Sequence, residues 1–66
     1  MKRTCLVISE VNHHYKCVHD DADKHNPYRV YRTWWDRGEH RKLLVKYADF
    51  ESVMWFLAER ILKGEN

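Results

Sequence analysis

Phe50, Val53, Met54, Leu57, Ala58 and Ile61 recur at steps of three and four residues, along one stripe of an α-helix. A helix of this kind must lie on an apolar surface supplied by the rest of the chain. Everything before it reads as β-structure. Asp49 stands where an N-cap belongs, because its carboxylate accepts orphan backbone N–H bonds and favours the positive end of the helix dipole. Gly64 is the expected stop, so the helix is predicted over about 49–63.

The β-rich segments are punctuated clearly. Residues 4–11 are rich in β-branched side chains, and Asn12 suits the tight turn that follows. Residues 14–20 alternate, with Tyr15, Cys17 and His19 on one side and Lys16 and Val18 on the other. Asp, Asn and Pro27 make 20–27 a loop. Tyr28 to Trp35 holds Tyr, Val, Thr and Trp residues favoured in strands. Asp36-Arg37-Gly38-Glu39 then turns the chain into a returning strand at 40–47. The expected fold is α+β, a small antiparallel sheet of three to four strands packed on one C-terminal helix, with 1–66 as a single domain.

Sixty-six residues bury only about 60% of their unfolded surface, so a chain this small needs help to be stable. Three Trp, four Tyr and two Phe supply large buried areas in place of many small side chains. Leu43, Val45, Tyr47, Phe50, Val53, Met54, Leu57 and Ile61 are the expected core. Two cysteines, Cys5 and Cys17, are too few for a secreted disulfide scaffold, and the apolar run near Met1 is too short for a signal peptide or a membrane span. A cytoplasmic location with reduced thiols is the expectation.

Net charge is only +2, yet it is unevenly spread. Residues 28–47 carry Arg29, Arg32, Arg37, Arg41, Lys42 and Lys46 against Asp36 and Glu39. The 40–47 strand puts Arg41, Leu43, Val45 and Tyr47 on one side, the more apolar and hence the core side. Which side of 28–35 accompanies it depends on the turn, because a one-residue slip exchanges the two faces. A three-residue loop sends Tyr31, Thr33 and Trp35 inward; a two- or four-residue loop sends Val30, Arg32 and Trp34 inward. Either way the open face mixes aromatic rings with cations, which suits nucleic acid: cations neutralise phosphates and rings stack on unpaired bases. Arg29, Tyr31, Arg32, Trp34, Trp35, His40, Lys42 and Lys46 are the candidate contacts. The alternative for the same residues is a solvated sheet face with rings packed beside aliphatic stems.

Three strands followed by one helix, with Tyr28-Arg29-Val30-Tyr31-Arg32, then Asp36-Arg37-Gly38-Glu39-His40-Arg41-Lys42, then Phe50 opening the helix, resemble in layout the AP2/integrase amino-terminal type of DNA-binding domain. In that family a three-stranded sheet reads the major groove and the helix backs it. The resemblance covers residues 14–62; the first strand is extra, and Ala48-Asp49-Phe50 stands where the family usually has a Gly-Phe pair.

Two further features carry expectations. Trp55, Phe56 and Leu62 fall outside the helix's core stripe, and a helix apolar over so much of its circumference is usually covered. A second copy is the expected cover, giving a homodimer through Trp55, Phe56 and Leu62; a wrapped strand 4–11 or loop 20–27 is the alternative. Cys17 and His19, with Cys5 on the neighbouring strand, are weak zinc candidates, but their spacing matches no standard finger or ribbon. No metal, cofactor or enzymatic activity is expected. A non-enzymatic nucleic-acid-binding module is the leading functional expectation, and a homodimeric protein-interaction module without nucleic-acid affinity is the alternative.

Overall fold

The computed structural model describes residues 1–10 and 13–63, so the expected end of the first strand at Val11, the turn at Asn12 and the helix stop at Gly64 lie outside the described residues. Four strands, β1 (Lys2–Glu10), β2 (His13–Asp20), β3 (Tyr28–Trp35) and β4 (Glu39–Tyr47), form one antiparallel sheet in chain order, and the helix α1 (Phe50–Leu62) packs against β3 and β4. This is the α+β architecture read from the sequence. Asp49 caps the helix as expected: its Oδ1 accepts the Ser52 N–H at 2.8 Å.

The core joins Tyr15, Cys17 and Val30 from the middle of the sheet to Val53 and Leu57 from the helix. These five identify the helix-facing side of each strand, because side chains alternate along a strand. His19 and Tyr28 lie on this side, and Tyr28 meets Phe50 with ring centroids 5.8 Å apart. Tyr47 and Phe56 close the far edge of the core at 6.0 Å.

Two expectations about the core are corrected. Leu43 and Arg41 were placed with Val45 and Tyr47, but Leu43 is exposed and faces the other way. The cause is a β-bulge at Leu44: Val30 pairs with Val45, whereas Tyr31 pairs with Leu43, so β4 carries one extra residue. The tip follows the three-residue-loop register, Trp35 opposite Glu39 and Thr33 opposite Arg41, and beyond the bulge the faces exchange. Met54 and Ala58, expected on the buried stripe, are exposed, while Phe56 is half-buried against Tyr47. The helix is rolled about its axis so that Phe56 and Arg60 flank the core and Met54 does not.

A second bulge leaves Cys5 without a partner residue between Thr4, opposite Val18, and Leu6, opposite Cys17. On the side away from the helix, the loop after β2 is held by its own carboxylates. Asp20 Oδ1 accepts the Ala22 N–H at 3.0 Å, and Asp23 Oδ1 accepts the N–H groups of His25 and Asn26 at 3.1 and 3.0 Å. Arg29 reaches both acids, at 3.2 Å from Asp20 and 3.7 Å from Asp23. Asp20 is only 6% exposed, so its charge depends on these partners.

The Ala22 N–H and then the Arg29 guanidinium hold the Asp20 carboxyl below its ordinary range; the N–H groups of Asn26 and His25 do the same for Asp23. Acids with lowered folded values contribute stability that is present above the unfolded value near 3.9 and is lost as pH falls through the folded value. The urea midpoint of the parent is therefore expected to hold near neutral pH and to drop below pH 4. Asp20→Asn is expected to lower the midpoint at pH 7 and to shrink the acid drop, read by circular dichroism across that range. An unchanged acid limb in the variant would contradict this account of the loop.

Candidate nucleic-acid interface

The eight residues singled out as nucleic-acid contacts are divided between the two faces of the sheet. By strand alternation and pairing, Arg29, Tyr31, Trp35 and Lys46 lie on the open side. Arg32, Trp34, His40 and Lys42 lie on the helix-facing side. Arg29 is committed to Asp20 and Asp23 and belongs to the loop.

Lys46, opposite Arg29 and near Asp23, lies at one end of the β3–β4 hairpin, whereas the turn end brings Trp34, Trp35, His40 and Lys42 together. There the rings stand out of the surface on both sides: Trp35 is 80% exposed and Trp34 is 45% exposed. Trp34 stacks on His40, centroids 5.7 Å apart and planes within 17°, and His40 Nε2 lies 2.7 Å from the Asp36 carbonyl oxygen. On the opposite face the Arg41 guanidinium covers the Tyr31 ring at 4.6 Å.

The turn itself presents a cation. Arg37 has φ 58 and Gly38 has φ 138, so both central turn residues adopt positive φ. Glycine takes this conformation without a side-chain clash, whereas for Arg37 it is uncommon. The turn thus holds the Arg37 side chain at the extreme tip. Arg37 at the turn, and Arg41 and Lys42 on opposite faces of β4, give the hairpin end a cationic rim, and none of the three is in an ion pair among the described residues.

Beside Trp35 the open face is concave. The groove is lined by Val7, Ile8, Ser9, His14, Lys16, Thr33, Trp34, Trp35 and Glu39, with Lys16 Nζ 3.6 Å from Glu39 Oε1. Arg37, Arg41, Thr33, His14, Lys16 and Glu39 were not among the expected contacts. The basic count of 28–47 pointed to the two arginines, but β2 enters only through cross-strand register, which the bulges obscure.

The weak metal candidates are not brought into one site. Cys17 is fully buried in the core, and burial, followed by the proximity of Cys5, pushes its thiol up to about 11. Cys5 is exposed in its bulge, and His19 Nδ1 lies 2.9 Å from Asp21 while its ring meets the edge of Tyr28 at 4.8 Å. Among the described residues no three His, Cys, Asp or Glu side chains are grouped to hold a metal ion.

No family model, curated protein or solved structure matches the chain. On the helix, Trp55 and Leu62 are 71% and 86% exposed, and Met54 on the flank is 48% exposed. Phe56, grouped with them in the sequence reading, is instead half-buried between Tyr47 and Arg60. Among the described residues no helix is long and apolar enough to cross a membrane.

Proposed function

We propose that this protein is a non-enzymatic nucleic-acid-binding module, of accessory or regulatory type, that engages its ligand with the end of the β3–β4 hairpin. The observation that carries the reading is two exposed tryptophans, Trp34 and Trp35, at a hairpin end that also carries Arg37, Arg41 and Lys42. Exposed indoles are unfavourable in water and suit stacking on bases, while guanidinium and ammonium groups suit phosphates. The positive φ at Arg37 supports it, since uncommon backbone conformations cluster where a side chain must be displayed. The layout resemblance to AP2/integrase amino-terminal domains argues in the same direction, and a cytoplasmic location is part of the proposal. The test is fluorescence anisotropy with labelled generic oligonucleotides at low salt, comparing the parent with Arg37→Ala, Arg41→Ala and Lys42→Ala combined.

A second reading is favoured by the helix: Trp55 and Leu62, seven residues apart on one line and flanked by Met54, are exposed apolar groups on which a second copy would seat. In that reading the chain is a homodimeric protein-interaction module without nucleic-acid affinity. Sedimentation is expected to give a dimer for the parent and a monomer for Trp55→Glu and Leu62→Glu. A parent that sediments as a monomer at micromolar concentration removes this reading.

A further inference from the structure

We infer that the groove beside Trp35 takes an unpaired base, so that the ligand of the hairpin is single-stranded nucleic acid; this rests on the nucleic-acid reading above and specifies its substrate class. Trp34 and Trp35 are adjacent in sequence but differ in use. Trp34 already has a stacked partner in His40. Trp35 is 80% exposed, and no ring is stacked on it among the described residues. Its face therefore offers the stacking platform, and every base has a π-face to place there.

The lining of the groove separates base from phosphate. Glu39 lies in the groove beside Trp35, and a carboxylate repels a phosphate while its oxygens accept hydrogen bonds from base amino and imino groups. Lys16, 3.6 Å away, offsets the Glu39 charge without reversing it. Ser9 Oγ and His14 Nδ1, 3.4 Å apart, and the Thr33 hydroxyl add donors and acceptors along the floor. The cations that suit phosphates on this side, Arg37 at the turn and Arg41 on the open face of β4, lie outside this lining. A strand bound in this way runs its backbone along the rim and turns a base inward. A duplex hides its base faces in the stack and would have to unpair to reach Trp35.

The experiment uses Trp34→Phe/Trp55→Phe protein, in which Trp35 is the sole indole. Its emission is titrated with short single-stranded DNA and RNA oligonucleotides and with the matching DNA duplex. DNA and RNA strands carry the same π-faces, so both are expected to quench Trp35 and to bind more tightly than the duplex. In the parent, Trp35→Ala is expected to weaken strand binding about 5- to 150-fold, the range of one lost base–ring stack. Trp55→Ala, which removes a ring 71% exposed on the helix, is expected to leave it unchanged. A duplex bound as tightly as the strands, or Trp35→Ala binding like the parent, overturns the inference while leaving the nucleic-acid reading in place. Absence of binding to strand and duplex alike overturns that reading, and the inference with it.

Discussion

Leu57→Asp is expected to abolish cooperative unfolding. Leu57 is 2% exposed and sits among Tyr15, Cys17, Val30 and Val53, none of which offers a charge to pair with a carboxylate. A domain of this length has a total stability of roughly 3–10 kcal/mol, at about 0.05–0.15 kcal/mol per residue. Truncating a buried Leu alone costs about 2–5 kcal/mol through lost transfer energy and the cavity left behind. Burying an unpaired charge adds to this, and the sum exceeds what the fold holds. Leu57→Met, which conserves volume, is expected to cost under about 1.5 kcal/mol and to keep a single sharp transition. Circular dichroism in urea distinguishes the two. A Leu57→Asp protein that melts like the parent would mean that the helix does not pack on the sheet through this side.

How far the sequence reveals the molecule depends on the range of the interactions that decide each feature. Asp49 as the helix cap and 28–47 as a hairpin are settled by neighbouring residues, and both are found where the local chemistry puts them. The bulge at Leu44 has no such local signal. It decides which of Leu43 and Leu44 joins the core, and with it which face carries Arg41. The same limit applies to the helix: six apolar residues make a stripe wider than the sheet can cover, and the roll that chooses Phe56 over Met54 is set by Tyr47 across the core. Val18, on the open side yet buried, escapes periodicity altogether. Its cross-strand partner Arg29 is held by Asp20 and Asp23 in the loop, and no pattern within β2 anticipates that cover. The candidate interface suffers most, because its rings and cations were visible as composition while their division between two faces was not.

The nucleic-acid account also predicts a large and specific electrostatic effect. Each phosphate neutralised by a cation releases condensed counterions, so affinity falls linearly in log–log form as salt rises. Three rim cations, Arg37, Arg41 and Lys42, give an expected slope of about −2 for a single strand, at roughly −0.7 per contact. Removing all three is expected to flatten the slope towards zero and to weaken low-salt binding to the level left by stacking on Trp35 alone. A charge contribution of this kind is lost equally for every sequence, which separates it from base contacts.

The most direct test is therefore a salt titration of the binding of a short generic single strand by the parent and by the Arg37→Ala/Arg41→Ala/Lys42→Ala protein. The account predicts binding by the parent at low salt with a slope near −2, and a nearly flat, weakened response in the variant. No binding by the parent at low salt, or the same slope in both proteins, would contradict it.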